Sequence, residues 1–343
     1  MFSTNKQSLE SHACEIDDRT KLRRSSAAQS SPPVAALVPA VLKSRFLLQE
    51  QIGSGGMGTV YRAKDLRKVE VLDSQPFLAI KVLNSEFRKH PGALTNLQRE
   101  AVKTQSLSHE NIVKVFDFDK EGDVPFVTME LLQGVVLADL LREHPQGLPG
   151  NLAWPLIRGF CSALRHAHAE GVVHADLKPD NLFVTHTGQL KIFDFGLART
   201  AQSDLSRGVV PIRSDIESMP LDPDVGALTP AYASRAVLEG NLASTRDDLF
   251  AAALVIYQVL TGRHPYERVP ANQTHPDNIS LGRPRLLSSR QWRFLLRAMA
   301  LDEEHRLSSV IDLEAGLFHK SPWPMRLIAF GLGSLVAIGV SSL

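Results

Sequence analysis

Short apolar runs from Phe46 onward set the first pattern along the chain, and they predict strands. Each run is six or seven residues long, which suits a strand better than a buried helix. The predicted strands cover 46–52, 58–64, 77–83, 112–117 and 126–131. One helical pattern, 93–107, separates the third strand from the fourth. The sequence therefore predicts a small lobe of five strands and one helix.

After Gln133 and Gly134 the pattern becomes mostly helical. Long segments with amphipathic spacing lie near 152–170, 246–261 and 288–300. This change of period predicts an α+β fold of two lobes joined by a short hinge. We place the five-stranded β lobe with its one helix at 46–132. The larger, mainly helical lobe follows at 133–319.

The two ends of the chain differ from this central part. Residues 1–44 are rich in serine, glutamine and charge, so we expect a disordered N-terminal tail. Residues 327–343 carry no charge, and as a helix they would span about 25 Å, near the lower limit for a bilayer. Trp323 and Arg326 precede them, as at a cytoplasmic interface. We expect a C-terminal transmembrane anchor; the alternative is a helix packed on the domain.

Composition excludes several classes of function. The chain has 38 basic and 37 acidic residues, a net charge of +1, so we expect no nucleic-acid partner held by bulk charge. It has only two cysteines, Cys14 and Cys161, so neither a disulfide framework nor a cysteine-ligated metal cluster is predicted. These features indicate a cytoplasmic catalytic domain, and with the anchor an attachment to the inner or plasma membrane.

The first candidate functional motif along the chain is a glycine-rich segment. It consists of Gly53, Ser54, Gly55, Gly56, Met57, Gly58, Thr59 and Val60. The G-x-G-x-x-G spacing alone also fits a dinucleotide-binding βαβ unit, which needs a helix after the third glycine. Here the chain continues with the β-like run 59–64. A hairpin that lies over phosphates and donates backbone N–H groups is therefore predicted.

Charged residues downstream strengthen the phosphate interpretation. Lys81 ends an apolar strand, and Glu100 lies midway along the next predicted helix. A lysine can neutralise phosphate charge, and an ionised glutamate beside it can hold the ammonium in place. Either residue alone would be most simply an exposed charge, but this order and spacing favour a pair.

The segment from His174 to Asn181 carries the most specific signal. Phosphoryl transfer needs a carboxylate to accept the hydroxyl proton, oxygen ligands for a divalent metal and a cation near the transferred group. Asp176 suits the first role and Lys178 the last. Asn181 and Asp194, which stands thirteen residues after it, suit the metal.

With these motifs in order, residues 46–319 resemble a Hanks-type (eukaryotic-like) protein Ser/Thr kinase of the prokaryotic kind. The resemblance implies the bilobal protein kinase fold, Mg²⁺ or Mn²⁺ as metal, and transfer of the ATP γ-phosphoryl to Ser/Thr hydroxyls of proteins, including its own. It implies Asp176 and Lys178 as catalytic residues and Asn181 and Asp194 as metal ligands. The implied ATP contacts are Ile52, Gly53, Ser54, Gly55, Gly56, Met57, Gly58, Val60, Ala79, Lys81, Glu100, Met129, Glu130 and Leu132.

The same resemblance gives roles to further residues. Met129 is the gatekeeper, and Glu130 to Leu132 form the hinge that reads adenine. Thr229 contacts Asp176 and Lys178 and helps seat the acceptor. Asp248 braces the backbone of the catalytic loop.

Three departures from the family pattern bear on regulation. Ala175 replaces the arginine that ordinarily precedes the catalytic aspartate and pairs with an activation-segment phosphate. Ser234-Arg235-Ala236 replaces A-P-E, which removes the expected glutamate partner of Arg306. We expect Glu239 to substitute, or the Arg306 contact to be lost or rewired. The segment 194–236 is long and holds candidate autophosphorylation sites, or simply a solvated loop, at Ser203, Ser206, Ser214 and Ser218.

Two other functions fit the same fold. A pseudokinase would bind ATP or a partner without catalysis, and a small-molecule kinase would phosphorylate a metabolite. The intact Asp176, Asn181 and Asp194 favour catalysis, and Lys178 with the Thr229–Tyr232 element favours a protein acceptor. The expected partners are protein substrates and, through the C-terminal helix, a membrane; the oligomeric state is left open.

Overall fold

The structure, a computed structural model, describes residues 40–55, 58–84, 104–195, 229–275 and 281–318. The first lobe is a six-stranded antiparallel sheet with the strand order β1-β2-β3-β4-β6-β5. Its strands are β1 (Val41–Leu42), β2 (Phe46–Gly55), β3 (Gly58–Asp65), β4 (Phe77–Leu83), β5 (Val115–Glu121) and β6 (Val124–Met129). All five predicted strands are therefore present, with the bounds of the fourth and fifth shifted by two to four residues.

The sixth strand, β1, corrects the predicted boundary of the N-terminal tail. Val41 and Leu42 pair with the start of β2, so the sheet begins before residue 44, where the tail was expected to end. Leu42 is 0% exposed and packs in an apolar cluster with Phe46 and Phe126. Leu42 ends the apolar run 34–42, which Pro39 interrupts. A strand of two residues is too short to show a period, which explains why it was missed.

The predicted helix 93–107 lies largely outside the described residues; of it, 104–106 are helical. A short helix that was not predicted, α1 (Leu66–Glu70), follows β3. It begins at Asp65, whose carboxylate accepts the Arg67 N–H at 3.1 Å and the Arg45 guanidinium at 2.9 and 2.6 Å. This N-terminal cap supplies the local reason for the helix.

The second lobe is mainly helical, as predicted, with one small antiparallel sheet. Its strands are β7 (Gly134–Val136), β8 (Leu182–Thr185) and β9 (Leu190–Ile192). Its helices are α2 (Leu137–Glu143), α3 (Gly150–Ala169), α4 (Arg235–Leu238), α5 (Thr245–Thr261), α6 (Ser289–Ala298) and α7 (Val310–Phe318). Single 3₁₀ turns occur at Pro179–Asn181 and Glu303–His305.

Helix α5 forms the centre of the second lobe. The predicted amphipathic pattern is wrong here, because every residue from Asp247 to Leu260 is buried. Other parts of the lobe surround the helix, so it has no solvent face. A Ser244–Asp247 capping box begins the helix, and Gly262, with φ +74°, ends it. The buried first turn of α5 brings two aspartates, Asp247 and Asp248, into the interior of the lobe.

The lobes are joined by hydrogen bonds as well as by the covalent hinge. The Val113 N–H donates to the Ile192 carbonyl at 2.8 Å, and the Ile192 N–H donates to the Asn111 carbonyl at 2.9 Å. This bridge fixes the segment before β5 against β9, which leads directly to Asp194.

Within the described ranges no helix has both the length and the apolar character needed to cross a bilayer. The predicted anchor, 327–343, lies outside those ranges, so both interpretations of it stay predictions.

We predict that Leu42→Ala lowers the free energy of unfolding by about 2–4 kcal/mol, because it leaves a cavity in the core of the first lobe. Val41→Ala is the matched control, since Val41 lies in the same strand but is 36% exposed; its effect should stay below about 1 kcal/mol. Urea unfolding measures both. Equal losses would contradict a core role for β1.

Candidate active site

The catalytic loop between α3 and β8 is held by one carboxylate from α5. Asp248 Oδ2 accepts the His174 backbone N–H at 2.8 Å, and Oδ1 accepts that of Ala175 at 2.9 Å. Asp248 is buried and also lies 2.9 Å from His168 Nε2. The prediction that Asp248 braces this loop is confirmed.

Ala175 adopts a left-handed backbone conformation, with φ +68°. For a residue with a Cβ this costs on the order of 1–3 kcal/mol and persists only where the surroundings enforce it. The hydrogen bond that the Ala175 N–H donates to Asp248 enforces this conformation. The backbone that carries Asp176 is therefore set by a tertiary contact.

Asp176, Lys178 and Asn181 form one hydrogen-bonded cluster. Lys178 Nζ lies 2.8 Å from Asp176 Oδ2, and Asn181 Nδ2 donates to the same oxygen at 3.1 Å. Asn181 Nδ2 also donates to the Asp176 carbonyl at 2.7 Å. Asp176 Oδ2 is thus occupied by two donors. Within the described ranges its other oxygen, Oδ1, accepts one long bond, from the Thr229 N–H at 3.5 Å, so it can still accept a proton.

Thr229 joins this cluster from the far end of the activation segment. Lys178 Nζ donates to Thr229 Oγ1 at 2.7 Å. The predicted contacts of Thr229 with Asp176 and Lys178 are therefore both present. They set a hydroxyl, an ammonium and a free carboxylate oxygen side by side.

The element that contains Thr229 is fixed to α5 through Tyr232. The Tyr232 hydroxyl donates to Gln258 Oε1 at 2.7 Å, and burial raises the pKa of Tyr232 to about 12, so this proton is retained. His264 packs edge-on against Tyr232 and bonds to the Ala231 carbonyl at 3.0 Å through Nε2. Burial lowers the pKa of His264 to about 4, so its ring is neutral and Nε2 is the donor.

Lys81 and Asp194 meet across the cleft between the lobes. Lys81 Nζ lies 2.6 Å from Asp194 Oδ2, and the lysine is only 5% exposed. Asp194 has φ +63°, a strained conformation like that of Ala175. Glu100, the predicted partner of Lys81, lies outside the described residues. The observed partner is Asp194.

His174, which was not predicted as a site residue, links the segment that contains Asp176 to the segment that contains Asp194. Its Nε2 lies 2.9 Å from the Phe193 carbonyl, and its ring packs 4.8 Å from that of Phe195. The residue heads the motif that contains Asp176, and its complete burial is a signal that only the fold provides. Through it, the backbone beside Asp176 and the backbone beside Asp194 are held together.

The glycine-rich segment is a β-hairpin, as predicted, and the dinucleotide-binding alternative is wrong. Gly55 pairs with Gly58 across β2 and β3. A Cβ at Gly58 would lie 2.2 Å from the Val82 carbonyl oxygen, so only glycine fits this close approach. Gly56 and Met57, at the tip, lie outside the described residues.

The remaining predicted nucleotide contacts lie on the strands around this hairpin. Gly53 pairs with Val60, Ser54 with Thr59, and Ala79 with Met129. Met129 lines the same cleft as Lys81 and Asp194. Leu132 is half-buried, and Ile52 is exposed.

Glu130, the first hinge residue, is fixed by contacts that the sequence did not predict. Its Oε1 accepts from Lys191 Nζ on β9 at 2.7 Å and from the Lys114 N–H at 2.8 Å. The side chain therefore serves the scaffold. The Glu130 backbone N–H also donates to the Lys114 carbonyl at 3.0 Å, so the hinge groups that a ligand could use follow Glu130.

Two side chains of the site, those of Asn181 and Asp194, suit a divalent metal bound through oxygen. Asn181 donates its amide nitrogen to Asp176, and these bonds leave its amide oxygen for a metal. Asp194 contributes a carboxylate. No group of three His, Cys, Asp or Glu residues with metal-binding placement occurs in the part of the chain that the structure describes. Two oxygen ligands fit Mg²⁺, which usually takes one or two protein ligands and completes its shell with phosphates and water.

Arg306 has lost the glutamate partner expected of it and is rewired. It is 4% exposed, and its guanidinium donates to the carbonyls of Ala300, Arg246 and Leu301 at 3.1–3.2 Å. Its Nη1 lies 3.6 Å from Asp247 Oδ1. Burial lowers the pKa of Arg306, and the negative charge of Asp247 opposes this shift.

Asp247 extends this contact to the end of the activation segment. It accepts the Ser234 hydroxyl at 2.6 Å, so a serine at the first A-P-E position reaches Arg306 through an aspartate. Arg235 adds a second tie, with Nη1 2.6 Å from Asp302 Oδ1. Glu239 is exposed and takes no part in the Arg306 contacts, so the expectation that it substitutes is wrong.

We predict that Arg306→Leu lowers the free energy of unfolding by about 3–5 kcal/mol, because Asp247 is left buried without its cation. Glu239→Ala is the matched control and should change stability by no more than about 0.5 kcal/mol. Thermal or urea unfolding compares them. A large loss with Glu239→Ala would restore Glu239 as the partner.

Comparisons with known proteins agree with this geometry. The family model described as protein kinase domain matches residues 46–321. The chain is 30% identical over 285 residues to the serine/threonine-protein kinase PrkC of Bacillus subtilis, covering 80% of this chain and 40% of PrkC. It is 34% identical over 232 residues to the serine/threonine-protein kinase PknL of Mycobacterium tuberculosis, covering 67% of this chain and 52% of PknL. The chain thus spans about half or less of these relatives.

Solved structures show the same fold. The PknI kinase domain of Mycobacterium tuberculosis superposes with a TM-score of 0.61 at 23% identity, covering 82% of this chain and 98% of that domain. The six-stranded sheet, the mainly helical second lobe and the two segments that His174 joins, which carry Asp176 with Asn181 and Asp194, have one common explanation: the chain belongs to the protein kinase domain family.

Proposed function

We propose that the chain is an active protein Ser/Thr kinase, which transfers the γ-phosphoryl group of ATP to serine or threonine hydroxyls of proteins, including its own. The observation that carries the proposal is the state of Asp176. One of its oxygens is held by Lys178 and Asn181. Among the described residues the other receives only the long bond from the Thr229 N–H, which leaves it able to accept a proton. A free, oriented carboxylate oxygen is what direct in-line transfer needs from its base.

The nucleotide binds between the glycine-rich hairpin and the hinge. Backbone N–H groups of the hairpin and the Lys81 ammonium receive the phosphates, and backbone groups after Met129 receive adenine. Asn181 and Asp194 hold Mg²⁺, or Mn²⁺ in its place, which neutralises charge on the transferring phosphoryl group when bound. With the nucleotide present, Lys81 shares its charge between Asp194 and the phosphates.

The acceptor is a protein hydroxyl. Lys178 bonds to both Asp176 and Thr229, so it can balance charge on the transferred group while Thr229 orients the incoming hydroxyl. The relatives PrkC and PknL are named serine/threonine-protein kinases, which supports the same acceptor class here.

Control of this activity differs from the usual phosphate switch. Ala175 offers no guanidinium to an activation-segment phosphate, and its left-handed backbone is already held by Asp248. Phosphorylation of the 194–236 segment is therefore not needed to order the catalytic loop through this contact.

The pseudokinase alternative conflicts with the completeness of the site. A module that only binds a partner has no physical need for a proton acceptor together with two metal ligands. A small-molecule kinase would not need the Thr229 element that is tied to α5 through Tyr232.

We predict that Asp176→Asn reduces phosphate incorporation at least about 100-fold, because an amide cannot accept the hydroxyl proton. Incubation of the chain with radiolabelled ATP, alone and with a generic basic protein, measures this loss. Asp139→Asn, an equivalent change on the exposed face of α2, should leave incorporation unchanged. If the unaltered chain binds ATP measurably but labels no protein, the proposal is wrong and a pseudokinase is favoured.

We further propose that residues 327–343 anchor the chain in the inner or plasma membrane and leave the catalytic domain in the cytoplasm. The run is uncharged, and Trp323 and Arg326 precede it. Both features suit a helix that enters the bilayer from the cytoplasmic side.

We predict that Leu335→Arg moves the chain from the membrane fraction to the soluble fraction. An arginine at the middle of a membrane helix costs about 2.5–3.5 kcal/mol, which a run of marginal length cannot offset. Leu335→Met is the control and should stay with the membrane after alkaline carbonate extraction. Soluble wild-type chain would favour the packed-helix alternative.

A further inference from the structure

A strongly basic segment precedes and forms α6, outside the catalytic cleft. Residues 281–301 contain five arginines and no acidic residue. Arg283 and Arg285 lie in the loop before the helix, and Arg290, Arg293 and Arg297 lie on it. The charge of the chain as a whole is almost balanced, so this segment is a local excess of positive charge.

The three helical arginines share one side of α6. Their spacing, i, i+3 and i+7, places them along a single stripe of an α-helix. The other sides of the helix contact the rest of the lobe. Leu295 is buried in the core, and the ring of Trp292 lies 6.0 Å from the ring of Tyr257 on α5. We call the stripe of Arg290, Arg293 and Arg297 the arginine face.

Two of the three side chains of the arginine face, those of Arg293 and Arg297, lack an acidic partner among the described residues. Arg293 and Arg297 are exposed, and within the described ranges neither makes an ion pair. Of the acidic residues that follow α6, Asp302 pairs with Arg235 and Glu303 with Arg246, while Glu304 is exposed. Exposed arginines without acidic neighbours are available to an anionic partner.

The arginine face also lies beside the end of α7. Gln291 Nε2 donates to the Leu317 carbonyl at 2.7 Å, so the first turn of α6 contacts the last turn of α7. Gly316 lies directly against Phe294, with no room for a Cβ. The arginine face therefore flanks the point from which the chain continues toward 327–343.

We propose that the arginine face of α6 lies on the anionic headgroups of the membrane that holds residues 327–343, and so orients the kinase domain; this rests on the proposed anchor. The intervening residues 319–326 can span at most about 28 Å. They contain Lys320 and Arg326 and no acid. Such a tether keeps the arginine face near a negatively charged leaflet, where each basic side chain strengthens attachment roughly fivefold.

An acidic protein is the main alternative occupant. An acidic protein could bind the arginines wherever they lay relative to the end of α7. The contact between Gln291 and Leu317 favours the membrane, because it couples the arginine face to the segment that is proposed to enter the bilayer.

The test uses the full chain in nanodiscs of phosphatidylcholine alone or with phosphatidylserine. Hydrogen–deuterium exchange of the α6 amides is compared between the two lipids. On the anionic discs the wild-type amides should exchange roughly 25-fold more slowly, since two arginines contribute about fivefold each. R293E/R297E should lose this protection while still inserting. R67E/K120E, two reversals at exposed sites of the first lobe, should behave as wild type.

Equal exchange on both lipids by an inserted wild-type chain would overturn the inference and leave the anchor standing. Slower exchange with soluble polyglutamate, but not with anionic discs, would overturn it in favour of an acidic protein partner. Failure to insert into neutral discs refutes the anchor. In that case salt-sensitive binding of the wild-type chain, but not of R293E/R297E, to anionic vesicles would support the membrane contact of the arginine face independently of the anchor. If the wild-type chain does not bind these vesicles either, both the anchor and the membrane contact are refuted.

Discussion

The carboxylate of Asp248 is the interaction on which the rest of the active site depends. It sits in the first turn of α5, where an anion is favoured by the helix dipole, and it receives the backbone of the catalytic loop at His174 and Ala175. Burying a charge is costly unless hydrogen bonds replace water, and these two N–H donors do so. The same bonds offset the left-handed conformation of Ala175. A buried helix thus supplies the rigid support from which Asp176 acts.

A second buried charge, Asp247, connects substrate binding to the scaffold. It contacts Ser234 at the end of the activation segment and Arg306 from the opposite side. Here Ser234 and Asp247 together replace the glutamate that was expected to pair with Arg306. The loss of A-P-E is therefore a rearrangement of the same electrostatic link, and it carries no argument against catalysis.

We propose that control of this kinase does not act through the catalytic loop, because Ala175 has no guanidinium to bind a phosphate. Control would then act on the position of the domain and on the access of its substrates. The proposed anchor and the arginine face both act on position. A kinase held against a membrane by two contacts has a restricted orientation, which narrows the set of hydroxyls that can reach Asp176.

The sequence by itself determined the two lobes, the five main strands and the order of the catalytic residues, because period and motif spacing are local properties of a chain. It also determined Asp176, Lys178 and Asn181 as one cluster, since eight residues of loop hold them. Tertiary structure alone decided the partners across longer distances: β1 against β2 through the buried Leu42, Lys191 against the hinge, and Arg306 against Asp247 in place of Glu239. These choices depend on which charges and side chains the fold removes from water, and no local pattern records that.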